Sequence, residues 1–270
     1  MNITFGILIL QQFYGIFKGK KEKRRKKNRI SRERIILPEF RKVLTGDGEH
    51  TAILCRSGRP RTLVCIPVAS EREADAIADR AAELFERSGA AAVYVSASRW
   101  QDDLSPWQAE PVFRGGERFG GNAGRFLSAL TEKILPEAEN ELGGPDAITC
   151  RIAAGYSLAG LFAAYAPFVS DTFDGIVSAS GSMWFDGFCG FVSSSPFVKI
   201  PRAAYFSVGD REKKARNARM AAVEDCTAAV AAAFREKGAD TVFELNAGGH
   251  FDDPEGRLVR GIGTVLERLI

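Results

Sequence analysis

Three residue types in this chain have the chemistry of acyl transfer, and their order could bring them together. The first is a serine. Residues 155–160 read Gly155-Tyr156-Ser157-Leu158-Ala159-Gly160, followed by the small and apolar residues LFAAYA. A serine on a tight strand-to-helix turn needs small neighbours two positions before it and two or three after, because larger side chains would strike the adjacent strand or helix. The pattern G-x-S-x-A-G meets that need, with Ala159 where the stricter G-x-S-x-G motif has glycine. A hydroxyl so placed lies at a helix N-terminus, where N–H groups and the dipole favour the negative charge that develops in acyl transfer. The same small residues would also serve close helix packing without any chemistry.

Serine is a weak nucleophile at neutral pH and needs a base, usually histidine. The chain has only two histidines. His50 lies in the turn TGDGEH ahead of the first expected strand of the repeat, and we expect it to be exposed and uninvolved. His250 lies in NAGGHF, after the last expected strand and before the final helix, where the base of a Ser…acid…His protein belongs. The base in turn needs a carboxylate to fix its tautomer and stabilise the imidazolium. Gly209-Asp210-Arg211-Glu212 offers two, between nucleophile and base. Asp210 is closer to the strand end and has the shorter side chain; the G-x-x-Asp spacing common at such a turn in α/β serine hydrolases favours Glu212. The one not used would cap the helix expected to begin near Lys213. For the oxyanion, one donor is expected at the N–H of Leu158. A second is expected from the loop after an earlier strand, where Pro67 has no N–H and Val68, then Ala69, are the first able to donate.

The elements that must position these residues are legible from residue 50 onward. Short β-branched runs at 51–55, 62–67, 91–95, 147–154, 175–179, 203–208 and 241–245 read as strands. Helical periodicity covers 71–87, 123–142, 158–166, 213–237 and 255–269, with Ser70 as an N-cap for the first. Helices as crossovers imply parallel pairing, so we expect an α/β protein, a three-layer α/β/α sandwich on a mostly parallel central sheet. Ligands in such sheets bind at the carboxyl ends of strands. Residues 99–122 form a long polar and aromatic loop that includes Trp100 and Trp107, and loops beyond about 12 to 15 residues are often functional.

Composition sets the outer bounds. At 270 residues, 45% hydrophobic and 26% charged, the chain is that of an ordinary globular protein, which excludes a disordered chain, collagen and a polytopic membrane protein. Its five cysteines are widely spaced, with no CxxC or Cys/His pairing, so neither a disulfide framework nor a zinc site is suggested; free thiols imply a reducing compartment, and we expect a cytoplasmic protein. The total charge of +3 conceals a basic arm. Residues 18–34 hold eleven Lys/Arg and two Glu, net +9, leaving −6 for the rest. The apolar stretch 3–17 before it is shorter than the roughly 20 residues that span a bilayer. Residues 1–40 are thus expected as an unstructured extension, with 41–270 as the catalytic domain. The alternative is a weak membrane-surface anchor formed by residues 1–34.

Several segments together resemble a known family: GYSLAGLFAAYA, SASGSMWFDGF, FSVGDREKKARN, NAGGHF and the loop DDLSPW…FRGGERFGG. They are similar to the esterase branch of the α/β-hydrolase fold, the relatives of esterase D and of siderophore (enterochelin, bacillibactin) esterases, over roughly residues 50–270. The resemblance implies a serine esterase mechanism for Ser157 and His250, with Glu212 or Asp210 as the acid. Siderophore esterases bind large catecholate triesters; no obvious arginine cluster for such a substrate is visible here, so that substrate is not carried over. Trp184, with Trp100 and Trp107, could wall an acyl or alcohol pocket beside Tyr156, although such aromatics also serve as core. The expectation is a serine hydrolase acting on a small-molecule carboxylic ester, needing no metal or cofactor and binding no nucleic acid. Its rivals are an acyltransferase on the same fold and a non-catalytic protein that binds through the basic arm.

Overall fold

The computed structural model describes residues 40–56 and 58–269. The basic arm and the apolar stretch expected to form an N-terminal extension lie outside the described residues. Chain order begins with β1 (Phe40–Leu44), β2 (Ala52–Arg56) and β3 (Thr62–Val68), then α1 (Glu71–Ser88) and β4 (Ala90–Ser96). The long loop follows, with a one-turn helix at Trp100–Asp103 and a small ribbon of β5 (Gln108–Ala109) and β6 (Phe119–Gly120). Next come α2 (Ala123–Ala129), α3 (Leu135–Glu141), β7 (Cys150–Tyr156), α4 (Leu158–Tyr165) and β8 (Gly175–Ala179). The chain then forms α5 (Phe188–Ser194), β9 (Ala203–Gly209), α6 (Val223–Glu236), β10 (Asp240–Asn246) and α7 (Pro254–Leu269).

The main sheet has eight strands in the order β1-β2-β4-β3-β7-β8-β9-β10. From β4 to β10 every pairing is parallel, whereas β2 runs antiparallel to β4 and to β1. Buried apolar residues line both faces. On one side α1 and α7 pack down through Ile77, Phe85, Leu258, Ile262 and Val265. On the other, α2 to α6 do so through Phe126, Leu130, Phe162, Phe188 and Phe234. The result is the expected three-layer sandwich of the α/β-hydrolase type, with one antiparallel edge. α1 shows why these segments are helical: Ala74, Ile77, Ala81 and Phe85 recur at helical spacing on its buried face. Ser70 caps its start by accepting from Glu73 N at 3.2 Å, and Gly89, at φ 61°, ends it.

This strand order contains a switch point. From β3 the chain passes to β4 on one side, and from β7 to β8 on the other, so the crossovers diverge between β3 and β7. Ligands of such sheets bind beyond the carboxyl ends of the strands at a switch point, which is where residues 69–70 follow β3 and Ser157 follows β7.

Four elements depart from the expectation. β1 was not expected, because Arg41 and Lys42 interrupt its apolar alternation; it is an edge strand, with Val43 64% exposed and Leu44 buried. The helical run at 123–142 contains a π-helical turn, Leu130–Ile134, just before Pro136. Proline has no N–H to donate, and its ring would strike the carbonyl four residues back, so the widened turn accommodates it. The helix expected over 213–237 is divided: a 3₁₀ turn, Glu212–Lys214, precedes a short turn, Ala218–Ala221, that Asn217 caps, and α6 follows. α5 arises where no helix was expected. Among the described residues no helix is long and apolar enough to cross a membrane.

Candidate active site

β7 ends at Tyr156 and α4 starts at Leu158, so Ser157 alone makes the turn. Its backbone, at φ 57° and ψ −121°, is one a non-glycine residue adopts only under strain, held by Ser157 N donating to Ala179 O at 3.2 Å and Ser182 N donating to Ser157 O at 3.0 Å. The requirement for small neighbours is visible in the packing. A Cβ on Gly155 would lie 2.3 Å from the backbone of Ala159, and one on Gly160 would lie 2.8 Å from Ser178 Oγ.

His250 sits in the loop between β10 and α7. Its Nε2 is 3.1 Å from Ser157 Oγ, and its Nδ1 is 2.7 Å from Glu212 Oε2. The imidazole thus bridges hydroxyl and carboxylate, and with Nδ1 carrying the proton its Nε2 is the acceptor. The Tyr156 hydroxyl donates to His250 O at 2.6 Å, fixing the backbone of His250. Burial pushes the Tyr156 phenol up to about 12, so it is a neutral donor at physiological pH.

The two carboxylates offered by the loop after β9 have separate places. Glu212 is turned inward, its side chain 4% exposed. Its Oε1 accepts from Gly209 N at 2.7 Å and Arg257 Nη1 at 3.1 Å, leaving Oε2 for His250. Burial alone would push its carboxyl up. The hydrogen bond and charge of His250, with the Gly209 N–H and the Ser180 hydroxyl, outweigh that and hold it below the ordinary value of 4.5. Asp210 faces the backbone instead. Its Oδ1 accepts from Gly248 N at 2.8 Å, and Asp210 N donates to Asn246 O at 2.8 Å, so it stitches the loop carrying His250 to the end of β9. Asp210 does not meet the imidazole, and Glu212 does.

Leu158, the first residue of α4, has an N–H without an intrahelical partner, directly after Ser157. The two other expected donors are engaged. Val68 belongs to the β3–β4 ladder, opposite Ser96, with its carbonyl accepting from Ala97 N at 3.0 Å. Ala69 N donates to Glu73 Oε2 at 2.8 Å. Burial raises the Glu73 carboxyl above its ordinary value even though that bond favours its charged form.

Trp107 and Trp184 are both half-buried in an aromatic wall. The Trp107 ring packs on Phe185, Phe188 and Phe191 at centroid distances of 5.7, 6.3 and 5.4 Å, and its Nε1 donates to Asp186 O at 2.9 Å. Trp184 meets Phe119 edge-on at 6.3 Å and lies under the Arg219 guanidinium, 5.7 Å away. It is two residues from Ser182, whose N–H is bonded to the Ser157 carbonyl. Phe251 stands 58% exposed beside the His250 ring.

His50 corrects an expectation. It is not an exposed turn residue but 1% exposed, its Nδ1 3.1 Å from Asp47 Oδ2 and its Nε2 3.6 Å from Asp103 Oδ2, because the turn after β1 tucks it against Phe126. Asp47, Glu49 and His50 have metal-ligand spacing. They are already engaged, His50 with Asp47 and Glu49 with Arg99 and Arg125. Reasoning from sequence missed Arg257 altogether. The available signal was an arginine on the apolar face of the final helix, beside Leu258, Gly261, Ile262 and Val265.

No family model matches the chain, and no curated protein does. Solved structures do. An IroE-like serine hydrolase from Shewanella oneidensis is similar with a TM-score of 0.70 at 16% identity, over 84% of this chain and 80% of that one. The siderophore hydrolase EstA from Aspergillus nidulans gives 0.67 at 16% identity, over 90% of this chain and 99% of its own. The enterobactin esterase FES from Shigella flexneri gives 0.64 at 17% identity, over 86% of this chain and 61% of that longer one. At such identities the likeness is one of backbone architecture, and the chain shares the α/β-hydrolase fold of these three proteins.

Proposed function

We propose that the protein is a serine hydrolase that cleaves a carboxylic ester through an acyl-enzyme. The observation that carries this reading is the unbroken hydrogen-bonded series from Ser157 Oγ through His250 to Glu212, at 3.1 and 2.7 Å, on a strained turn at a helix N-terminus. Ser157 Oγ attacks the ester carbonyl carbon as its proton passes to His250 Nε2. The carbonyl oxygen becomes an oxyanion facing Leu158 N–H, with Ala69 N–H, released from Glu73, as the proposed second donor. When the intermediate collapses, the C–O bond to the alcohol breaks and His250 returns the proton to the leaving oxygen. Water, deprotonated by His250, then releases the acid and restores Ser157. Glu212 holds Nδ1–H throughout and stabilises the imidazolium. The aromatic wall of Trp107 and Trp184 is proposed to flank the substrate.

Similarity to an IroE-like serine hydrolase and to siderophore and enterobactin esterases supports ester cleavage on this fold. The five free thiols accord with a cytoplasmic location. The test is labelling with a fluorophosphonate, followed by peptide mapping, beside turnover of short p-nitrophenyl esters and a catecholate triester. Labelling is expected at Ser157, and Ser157→Ala should lose on the order of 10³-fold or more of kcat. Labelling of another serine refutes the assignment. Adding an alcohol acceptor separates hydrolysis from acyl transfer by the product formed.

A further inference from the structure

Arg257 is 2% exposed, on the buried face of α7, and an arginine so placed must be paired. Its partners converge from four segments of chain. Nη1 donates to Glu212 Oε1 at 3.1 Å, to Ser180 Oγ at 3.0 Å and, more loosely, to Tyr156 Oη at 3.5 Å. Nη2 donates to Ala247 O at 3.0 Å. The guanidinium reaches this position because Gly209 has no side chain: a Cβ there would lie 2.9 Å from Nη1. None of these atoms is a reacting one, but Glu212 and Tyr156 both bond His250, the Ser180 hydroxyl bonds Glu212, and Ala247 lies in the loop that carries His250.

We propose that Arg257 is a positioning residue of the catalytic couple: it holds Glu212 in the rotamer that offers Oε2 to His250, and its charge offsets that of the buried carboxylate. This rests on the esterase reading above. A carboxylate with one oxygen held by Gly209 N–H and Arg257 has only the other for the imidazole, so the Nδ1–H tautomer is enforced. An uncompensated buried Glu212 would stabilise the imidazolium and raise the pH at which His250 becomes a base. The other charged or titratable groups around the base are engaged elsewhere. Tyr156 donates to the His250 carbonyl, Asp210 faces Gly248 N, and Asp252 pairs with Arg211.

The test compares Arg257→Met, Arg257→Lys, Glu212→Gln and the double variant Arg257→Met/Glu212→Gln. Arg257→Met is expected to lose about 10²-fold or more of kcat with little change in KM, and to move the acidic limb of kcat/KM upward by roughly one pH unit. Arg257→Lys keeps the charge without the planar fork, so its limb should stay while kcat falls. The double variant, which removes both buried charges, should be no slower than Glu212→Gln alone, since Arg257 acts through Glu212. A limb unmoved in folded Arg257→Met overturns the proposal. So does a double variant slower than Glu212→Gln by a further tenfold, which is readable even if the single Met variant does not fold. An NMR titration of the His250 imidazole needs no substrate and separates the two readings. If His250 titrates higher in Arg257→Met but no ester is cleaved, the esterase reading fails and the positioning role stands. If esters are cleaved and the titration does not move, the positioning role fails.

Discussion

Glu212→Gln beside Asp210→Asn gives the most direct test of how the site is assembled. In the wild type Glu212 Oε1 receives Gly209 N–H and Arg257, and Oε2 faces His250 Nδ1 at 2.7 Å. A glutamine carbonyl can replace Oε1, because both groups there are donors. Its NH2 must then face the imidazole and can only donate. Nδ1 is forced to accept, the ring proton moves to Nε2, and Nε2 can no longer take the proton of Ser157, 3.1 Å away. Loss of the correct tautomer in such a triad costs about 10³–10⁴-fold in kcat, or about 4–5.5 kcal/mol of barrier. Asp210→Asn keeps an oxygen to accept from Gly248 N, so its loss should stay within about tenfold. The assay is steady-state hydrolysis of a short p-nitrophenyl ester, with circular dichroism to verify that each variant is folded. If Asp210→Asn loses the thousandfold while Glu212→Gln keeps most of its activity, the reasoning is refuted.

Two further outcomes follow from the same geometry. Glu212 has its carboxyl held below the ordinary value of 4.5, so its stabilising effect is complete above that pH and is lost as the pH falls through the depressed value. The Tm difference between wild type and Glu212→Gln should therefore narrow in acid, and a difference that stays constant down to about pH 3 would contradict it. Glu73→Ala removes the carboxylate that holds Ala69 N–H at the start of α1, at a cost of about 1 kcal/mol, and leaves the Ser70 cap, which uses the backbone N–H of residue 73. If Ala69 supplies the second oxyanion donor, kcat should rise several-fold despite the lower Tm. An unchanged kcat would show that this N–H is not used.

Much of the fold was legible because it depends on short-range pattern. Apolar runs without strict alternation announce strands buried on both faces, and β3, β8 and β9 fall within a residue or two of where their sequences put them. β1 was not legible. Its stability comes from pairing with β2, and an edge strand with Arg41 and Lys42 carries little pattern of its own. The division after Glu212 was hidden for a similar reason: its residues suit a helix, but the chain there turns Glu212 inward to meet His250 and Arg257.

By itself the sequence determined which residue types could react and in what order they arrive: a serine between small residues, two carboxylates after a later strand, and a histidine before the last helix. Those are properties of neighbours along the chain, which steric and hydrogen-bonding rules translate directly. Which carboxylate meets the imidazole, that His50 is buried between two aspartates, and that an arginine from α7 pairs with Glu212 were decided only by tertiary structure. Each depends on the approach of segments far apart in the chain, and a two-residue difference between Asp210 and Glu212 turns one toward a backbone amide and the other toward the His250 imidazole.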